Sequence, residues 1–577
     1  MRNNRNPEPA GAGWQYELKL MNTAAATGYF ACEPLEEPTD DEAIAYLRVC
    51  PNDEFMRRYL IRRLNTLGAE RMEALIRQTP DTDTFLLAVL YETCLFTGAF
   101  QPFLPAFGRL DLRRLADQSP LPYLRSLASP RHRLHREWSL RAAANILRQE
   151  PVFWRETPET EFPYSPGELA AVPEETLSLE GFVAARNPEA AGKPYRARTP
   201  AETAGKALEK LEAAGILADI EKRHQSSLSP IGLLRQWRMN VRIAEGRHNI
   251  RLGGLQTAYG RGFDLESARA SYAMEIVERY SAFAGVHGGK LTGYRKEHAL
   301  TFGRLSDLRG GATEPLDPNH LLLEAPYENE PLYWIRGELK SERGERDVLV
   351  PVQAVALFSN LDEVALFSGR GSTGLAAGNT MEEAKVAGLL EMVERYSEAV
   401  MPFQVRQCFT LESRDEALAG LLGAYAQAGI QVQFQDLTTA MGIPCCKCFV
   451  RGLNGDIVKG TGAHLNARRA LLSAMTETPF PFPHGGPSGP SYSGLFRVPF
   501  ENLPDYSSGD AGNDLALLET VLIRNGFEVV YVDLSRSDMD FPVVRALVPA
   551  MEINGDLDRF TRVHPNFIRN YRRAAGG

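Results

Sequence analysis

At 577 residues the chain is longer than one ordinary hydrophobic core organises, so two or three domains are expected. Its 64 Lys and Arg against 73 Asp and Glu give a formal net charge of -9, which supplies no general field for nucleic acid and leaves any polyanion contact to local clusters. Seven cysteines are too few for a disulfide framework, and neither a signal-type apolar start nor a run of spanning length is present, so the expectation is a cytoplasmic protein that engages no membrane.

Roughly the first 30 residues are polar or rich in Gly and Ala, and read as loosely ordered. From Asp40 to about Gln149, segments such as DEFMRRYLIRRLNTL and DTFLLAVLYETCLF carry helical periodicity with Pro and Asp at the joints, giving an all-α N-terminal domain over residues 1–150. Residues 151–194 become rich in Pro, Glu and Ala, the composition of a linker. An α/β domain with a mixed sheet is expected from residue 195 to 577, because helical and alternating apolar segments succeed one another to the end. It opens with YRARTPAETAGKALEKLEAAGI, where Thr199, Pro200 and Glu202 form a capping-box start, and Arg196 and Arg198 beside it suit an anion.

Further on a stretch occurs twice. Glu275 to Ser281 reads E-I-V-E-R-Y-S and Glu391 to Ser397 reads E-M-V-E-R-Y-S, behind Gly260-Arg261-Gly262 and Gly369-Arg370-Gly371. Helical spacing puts Glu275, Glu278 and Arg279 on one face, and Glu391, Glu394 and Arg395 on another. A single pair of this kind reads as a solvated ion pair, but the repetition points to a cleft where carboxylates hold Mg²⁺ against phosphate. The run Cys445, Cys446 and Cys448 sits in an extended segment without completing ligands and reads as apolar strand cysteines rather than a zinc site. The stretch from Thr478 to Pro490 cannot continue a helix and reads either as a packed loop or as a surface where Phe480 and Phe482 dock a peptide. No Walker A loop, dinucleotide fingerprint or Ser-His-Asp order is present.

The runs GRGFDLESARASYAMEIVERYS, GLAAGNTMEEAKVAGLLEMVERYSEA, YRARTPAET, GAHLNARRALLSAMTE and DFPVVRALVPAME, in that family's order, resemble the YcaO family from about Tyr195 onward. The resemblance implies ATP and Mg²⁺ as cofactors and activation of a backbone amide oxygen in a peptide or protein, ending in azoline rings, thioamides or amidines. It places Mg²⁺ on Glu275, Glu278, Glu391 and Glu394, and ATP on Arg198, Thr203, Arg261, Ser271, Arg279 and Arg395, with an arginine at 261 where lysine is usual. Asn379, His464 and Glu477 match further family positions. The implied partners are a peptide or protein substrate and a sulfur-delivery or precursor-recognition protein, with homodimerisation left open. Ala387, Ser473 and the Pro-rich stretch depart from the family pattern, so a second reading stands beside the enzyme: a non-catalytic accessory or scaffold protein in a modification complex.

Overall fold

The computed structural model describes residues 13–22, 28–152, 161–184, 198–552 and 557–576; Arg196 and part of the proline-rich connection lie outside them. Within the stretch read as loosely ordered, the described residues form two paired strands. Strands β1 (Gln15–Asn22) and β2 (Gly28–Pro34) pair antiparallel, and β1 runs parallel to residues Arg251–Gly253 of a much later strand. Tyr16 and Leu18 bury on one face of β1, a period-2 signal too brief to stand out among the surrounding glycines and alanines.

A run of short helices follows from Asp40 to Ala142, several started by acidic or hydroxyl caps such as Thr39, Asp53 and Asp83. Their buried faces do not form a separate core. Met56, Leu60 and Leu90 belong to the same apolar cluster as Trp237, Ile250 and Trp334 of the later sheets. Within the described part of the connection Leu179 is fully buried, and Glu175 accepts a hydrogen bond from the Tyr396 hydroxyl at 2.7 Å.

The body begins with α1 (Pro200–Ala213), whose cap Thr199 and Glu202 form the expected capping box. It continues through β3 (Ile231–Glu245), β4 (His248–Gly262), α2 (Leu265–Ala282), β5 (Leu332–Ser341), β6 (Gly344–Pro351), β7 (Leu375–Ala377) and α3 (Met381–Val400). Then come β8 (Cys408–Glu412), β9 (Gln433–Asp436), β10 (Cys445–Arg451), β11 (Ile457–Ala463), α4 (Ala467–Glu477), β12 (Phe496–Pro499), β13 (Val529–Asp533) and β14 (Val543–Leu547).

Among the described residues three sheets form. One carries β2-β1-β4-β3 and short strands beyond; the second runs β6-β5-β13-β14-β7; the third runs β11-β10-β9-β8-β12. Parallel and antiparallel pairs occur together, as expected for a mixed α/β fold behind an N-terminal helical region. The long β3–β4 hairpin was not legible as strands, because Gly253, Gly254, Gly260 and Gly262 dilute its alternation.

The cysteine run lies in β10 with its side chains buried, in the strand context expected of it. Phe480 and Phe482 pack against the core of the third sheet, and Phe482 meets Tyr425 edge-on at 4.8 Å, so the packed reading of that loop describes the structure. Truncating Phe482 to Ala is expected to cost about 2 kcal/mol, less than a fully enclosed Phe because the ring is half-buried. Urea unfolding of the variant measures it.

Candidate active site

Three strand-to-helix units, not two, build the site. The helices α2, α3 and α4 are capped by Asp264, Thr380 and Asn466, whose side chains accept from backbone amides of the first turn. Four residues past each cap stands an alanine (Ala268, Ala384, Ala470), and eleven past each cap stands a glutamate (Glu275, Glu391, Glu477). The small residues let each helix start lie close on its strand. A Cβ at Gly260 would fall 1.9 Å from the Ala268 carbonyl oxygen and one at Gly462 would fall 2.4 Å from that of Ala470, while Gly262 and Gly378 approach the amides of Ala268 and Ala384. The units also interlock cyclically: α2 packs on β7, α3 on β11, and α4 returns to β4.

The two Gly-Arg-Gly segments are therefore not equivalent. The first is the end of β4, leading directly to the cap of α2. The second precedes β7, and its Arg370 pairs with Glu552 at 2.7 Å; the position matching Gly262 is Gly378. Identical residues thus stand at different registers relative to the helix caps. The third unit lacks the E-R-Y-S run and is recognisable only by cap, alanine and glutamate spacing.

Five carboxylates converge from these helices: Glu275, Glu278, Glu391, Glu394 and Glu477. Burial pushes all five carboxyls above the ordinary range, Glu278 to about 8, and repulsion from neighbouring glutamates adds to it at Glu278, Glu394 and Glu477. Glu391 and Glu275 raise Glu278, and Glu477 raises Glu394. Arginines oppose this: Arg279 stands 3.5 Å from Glu278, and Arg395 stands 3.5 Å from Glu394 and 3.9 Å from Glu391. Arg261, at the end of β4, lowers both Glu275 and Glu477. The repeat extends to the backbone, since Tyr259 N–H donates to Glu275 at 3.0 Å and Gly374 N–H donates to Glu391 at 3.2 Å.

The remaining expected residues sit around this cluster. Arg198 and Thr203, at the start of α1, both donate to the Asn379 side-chain oxygen, at 3.4 and 3.2 Å, which places them beside the start of α3. Ser271 is exposed on α2 one turn before Glu275, and Ala387 and Ser473 occupy the matching positions of α3 and α4, also exposed. His464 holds Asn466 in place by accepting its N–H at 2.8 Å, and burial keeps its imidazole down at about 4. Sequence reasoning missed Arg545, fully buried on β14 and close enough to Glu391 to lower its carboxyl.

Five acids in one cleft are a costly arrangement without cations. Among the described residues no three His, Cys, Asp or Glu side chains are grouped so as to hold a metal ion by themselves. That suits Mg²⁺, which takes one or two carboxylates and completes its shell with water and phosphate oxygens. The donor set is all oxygen, as Mg²⁺ requires.

A family model described as YcaO cyclodehydratase, ATP- and Mg²⁺-binding, matches residues 259–479 and 485–552. An uncharacterized protein of Methanothermobacter thermautotrophicus is 29% identical over 52% of this chain and 83% of its own length. The uncharacterized protein in the tfuA 3′ region of Rhizobium leguminosarum bv. trifolii is 26% identical over 52% of this chain and 78% of its own. Among solved structures, a heterocyclase in complex with substrate and cofactor aligns with a TM-score of 0.49 and 19% identity, over 64% of this chain and 56% of that one. The YcaO of Methanopyrus kandleri bound with AMPPCP and Mg²⁺ aligns with a TM-score of 0.45 and 22% identity, over 62% and 92%. With its model matching half of the residues, including all three acidic helices, the chain belongs to the YcaO family, and ATP and Mg²⁺ are its cofactors.

Proposed function

We propose that this protein uses ATP and Mg²⁺ to phosphorylate a backbone amide oxygen of a peptide or protein, so that a nucleophile can add to the amide carbon and expel phosphate. The observation that carries the reading is the convergence of Glu275, Glu278, Glu391, Glu394 and Glu477 with Arg261, Arg279 and Arg395. An amide oxygen is a poor leaving group; attack on the γ-phosphorus forms a new O–P bond as the bond to the β–γ bridging oxygen breaks and ADP departs.

In this reading the glutamates hold Mg²⁺, which when bound neutralises phosphate charge. Arg261, Arg279 and Arg395 orient the phosphates through paired N–H donors. Arg198, Thr203 and Ser271 hold the nucleotide from the α1 and α2 side. Closure of an adjacent thiol or hydroxyl on the activated carbon gives an azoline, whereas delivered sulfide gives a thioamide and needs a sulfur-delivery partner. The residues of the cleft favour neither.

Replacing Glu275 or Glu391 by Gln removes a charged ligand oxygen at matching positions of the repeat. It is expected to weaken Mg²⁺-dependent ATP binding at least tenfold, about 1.4 kcal/mol. Calorimetry with ATP, with and without Mg²⁺, measures this, and unchanged affinity in both variants would exclude the shared site. The accessory reading draws on Ala387 and Ser473, which stand at the positions of α3 and α4 that match Ser271 and carry neither a basic nor an amide side chain. Tight Mg²⁺-dependent ATP binding without turnover in the presence of substrate peptide would favour it.

A further inference from the structure

We propose that the peptide acceptor adds as a strand to the free edge of β11, inside a pocket that opens off the acidic cleft, and there presents its backbone amide to the γ-phosphate. The inference rests on the ATP-dependent reading above and deepens it by assigning the acceptor its place. The pocket, about 310 Å³, is lined by Arg395 and Glu398 of α3, Lys459, Gly460 and Thr461 of β11, and Glu477 of α4. Arg395 and Glu477 belong to the cleft, and Thr461 donates to Glu394 at 3.0 Å, so the two spaces are continuous.

The position of the pocket follows from the alternation of the strand. Lys459 and Thr461 point to one face of the sheet, where they bond Glu398 and Glu394 of α3. Gly460 and Gly462 turn the other way, each so close to α4 that an added Cβ would meet the Ala474 or Ala470 carbonyl oxygen at 2.4 Å. A space that touches α3, α4 and three successive residues of the strand between them therefore runs round the outer edge of that strand. β11 is the last strand of its sheet. Among the described residues its backbone pairs with β10 alone, so alternate N–H and C=O groups along the outer edge have no backbone partner. Lysine often blunts such an edge, but Lys459 is held by Glu398 on the α3 face and leaves it open.

The geometry of transfer puts the acceptor on this side. Arg198 and Thr203 reach Asn379 at the start of α3, whereas Glu398 lies near the end of that helix, about 25 Å further on at roughly 1.5 Å per residue, with Glu391 and Glu394 between. A phosphoryl group moves between oxygens that stand roughly in line. With the nucleotide held at the α1 side and its γ-phosphate among the glutamates, the attacking amide oxygen comes from the far side, where the pocket lies.

The wall beyond the charged residues is apolar and its backbone irregular. Ile146 and Leu147 come from one turn of π-helix, Ala143–Leu147, which Asn145 fixes by accepting from the Phe403 N–H at 2.8 Å and donating to the Phe403 carbonyl at 3.1 Å. Leu557 lines the pocket with a φ of +40°, a left-handed conformation that leucine rarely adopts. Such departures concentrate at ligand sites. Burial would raise the Glu398 carboxyl, but Lys459 and Lys447 outweigh it and hold it below the ordinary range, so this acid is matched by protein cations and calls for no metal. An uncharged main chain with an apolar side chain against Leu147 and Leu557 fits these surroundings, and main-chain pairing beside a side-chain pocket is a general mode of taking up an extended peptide.

Crystals of the full chain with AMPPCP, Mg²⁺ and a capped pentapeptide of alanines carrying 4-bromophenylalanine at its centre test the site. The expected structure has the triphosphate at the glutamates, the peptide paired with β11 and the anomalous bromine peak beside Leu147 and Leu557. A nucleotide at the glutamates with the bromine elsewhere or absent, or with its adenosine in the pocket, overturns this inference and leaves the ATP-dependent reading standing. A nucleotide absent from the glutamates overturns both.

In solution, strand addition makes affinity depend on alternate amides of the probe. Versions of the same peptide, each N-methylated at one amide, are measured by calorimetry with AMPPCP and Mg²⁺ present. Methylation at every second amide is expected to cost about tenfold or more in affinity, and at the intervening amides much less, because only alternate N–H groups point at β11. Leu147→Trp fills the pocket from a position 39% exposed, and is expected to lose peptide affinity while keeping that for AMPPCP. Equal losses along the peptide, or parent-like peptide affinity in folded Leu147→Trp, overturn strand addition, and the methylated series decides the matter even if the Trp variant fails to fold.

Discussion

Thermal stability of the protein without Mg²⁺ is expected to fall as the pH is raised from about 5 to about 8, with Mg²⁺ and ATP restoring it most at the alkaline end. The five clustered glutamates have folded-state values raised by burial, and Glu278, Glu394 and Glu477 also by neighbouring glutamates. Below the ordinary value of 4.5 the carboxyls are protonated in both states and cost nothing. Above it the unfolded chain releases protons that the native cleft retains, so stability declines with pH until the folded values are passed, for Glu278 at about 8. Each tenfold gain in proton affinity on folding corresponds to about 1.4 kcal/mol, discounted because these side chains keep contact with cleft water, so a loss of about 2–4 kcal/mol is expected across the window.

Carboxylates of the opposite kind do not mask the trend. Arg247 and its amide offset the burial of Asp362 and hold it at about 2, so its contribution is lost only as pH falls below the ordinary carboxylate range. Metal binding needs the deprotonated acids, so affinity for Mg²⁺ rises over the same interval in which the metal-free protein weakens. Scanning calorimetry at a series of pH values, with and without Mg²⁺ and ATP, is the measurement. A profile flat from pH 5 to 8, or one unaltered in Glu278→Gln, would contradict the electrostatic account of the cleft.

The second large effect is expected at Gly374, just before β7. Its φ is +80°, and a Cβ there would stand 2.1 Å from the Ala546 carbonyl oxygen and 3.0 Å from the Met392 sulfur. Backbone cannot yield as a flexible side chain can, and the Gly374 N–H is also the donor to Glu391. Gly374→Ala is therefore expected to destabilise by about 4 kcal/mol or more and to displace Glu391 from its place in the cluster. Gly455→Ala is the matched control: its φ is +86°, with nothing within 4 Å of an added Cβ, so only the conformational cost of about 1–2 kcal/mol applies. Denaturant unfolding of both variants separates the two contributions, and equal losses would show that close packing at Gly374 is not the dominant one.

Much of the acidic cleft could be read from the residues, because helical period alone puts Glu275 with Glu278 and Glu391 with Glu394. The capping box at Thr199, and the strands at Gln433–Asp436, Cys445–Arg451 and Val529–Asp533, were equally legible from local chemistry. What escaped was long-range. The β1–β2 hairpin is stabilised by a strand more than 200 residues away, and such pairing leaves little trace in a short window. Arg545 reads as one charge in an apolar strand, and its place beside Glu391 follows only from how β14 lies next to β7. The third unit escaped for a different reason: its first ten helical residues share almost no identity with the others beyond Ala470, while its spacing is the same.

The cyclic interlock of α2 on β7, α3 on β11 and α4 on β4 also bears on how the protein is made. A ribosome delivers the first unit roughly 200 residues before the last, and at about 5–20 residues per second that leaves on the order of ten seconds or more between them. During that interval α2 and α3 carry acids meant for a cleft whose third wall has not yet been synthesised, and β4, already covered by α2, still lacks its contact with α4. Closing so long a loop is slow compared with forming the helices themselves. The nascent chain thus passes through a stage with helical content but an open ring, when its exposed apolar surfaces are available to chaperones and to neighbouring chains.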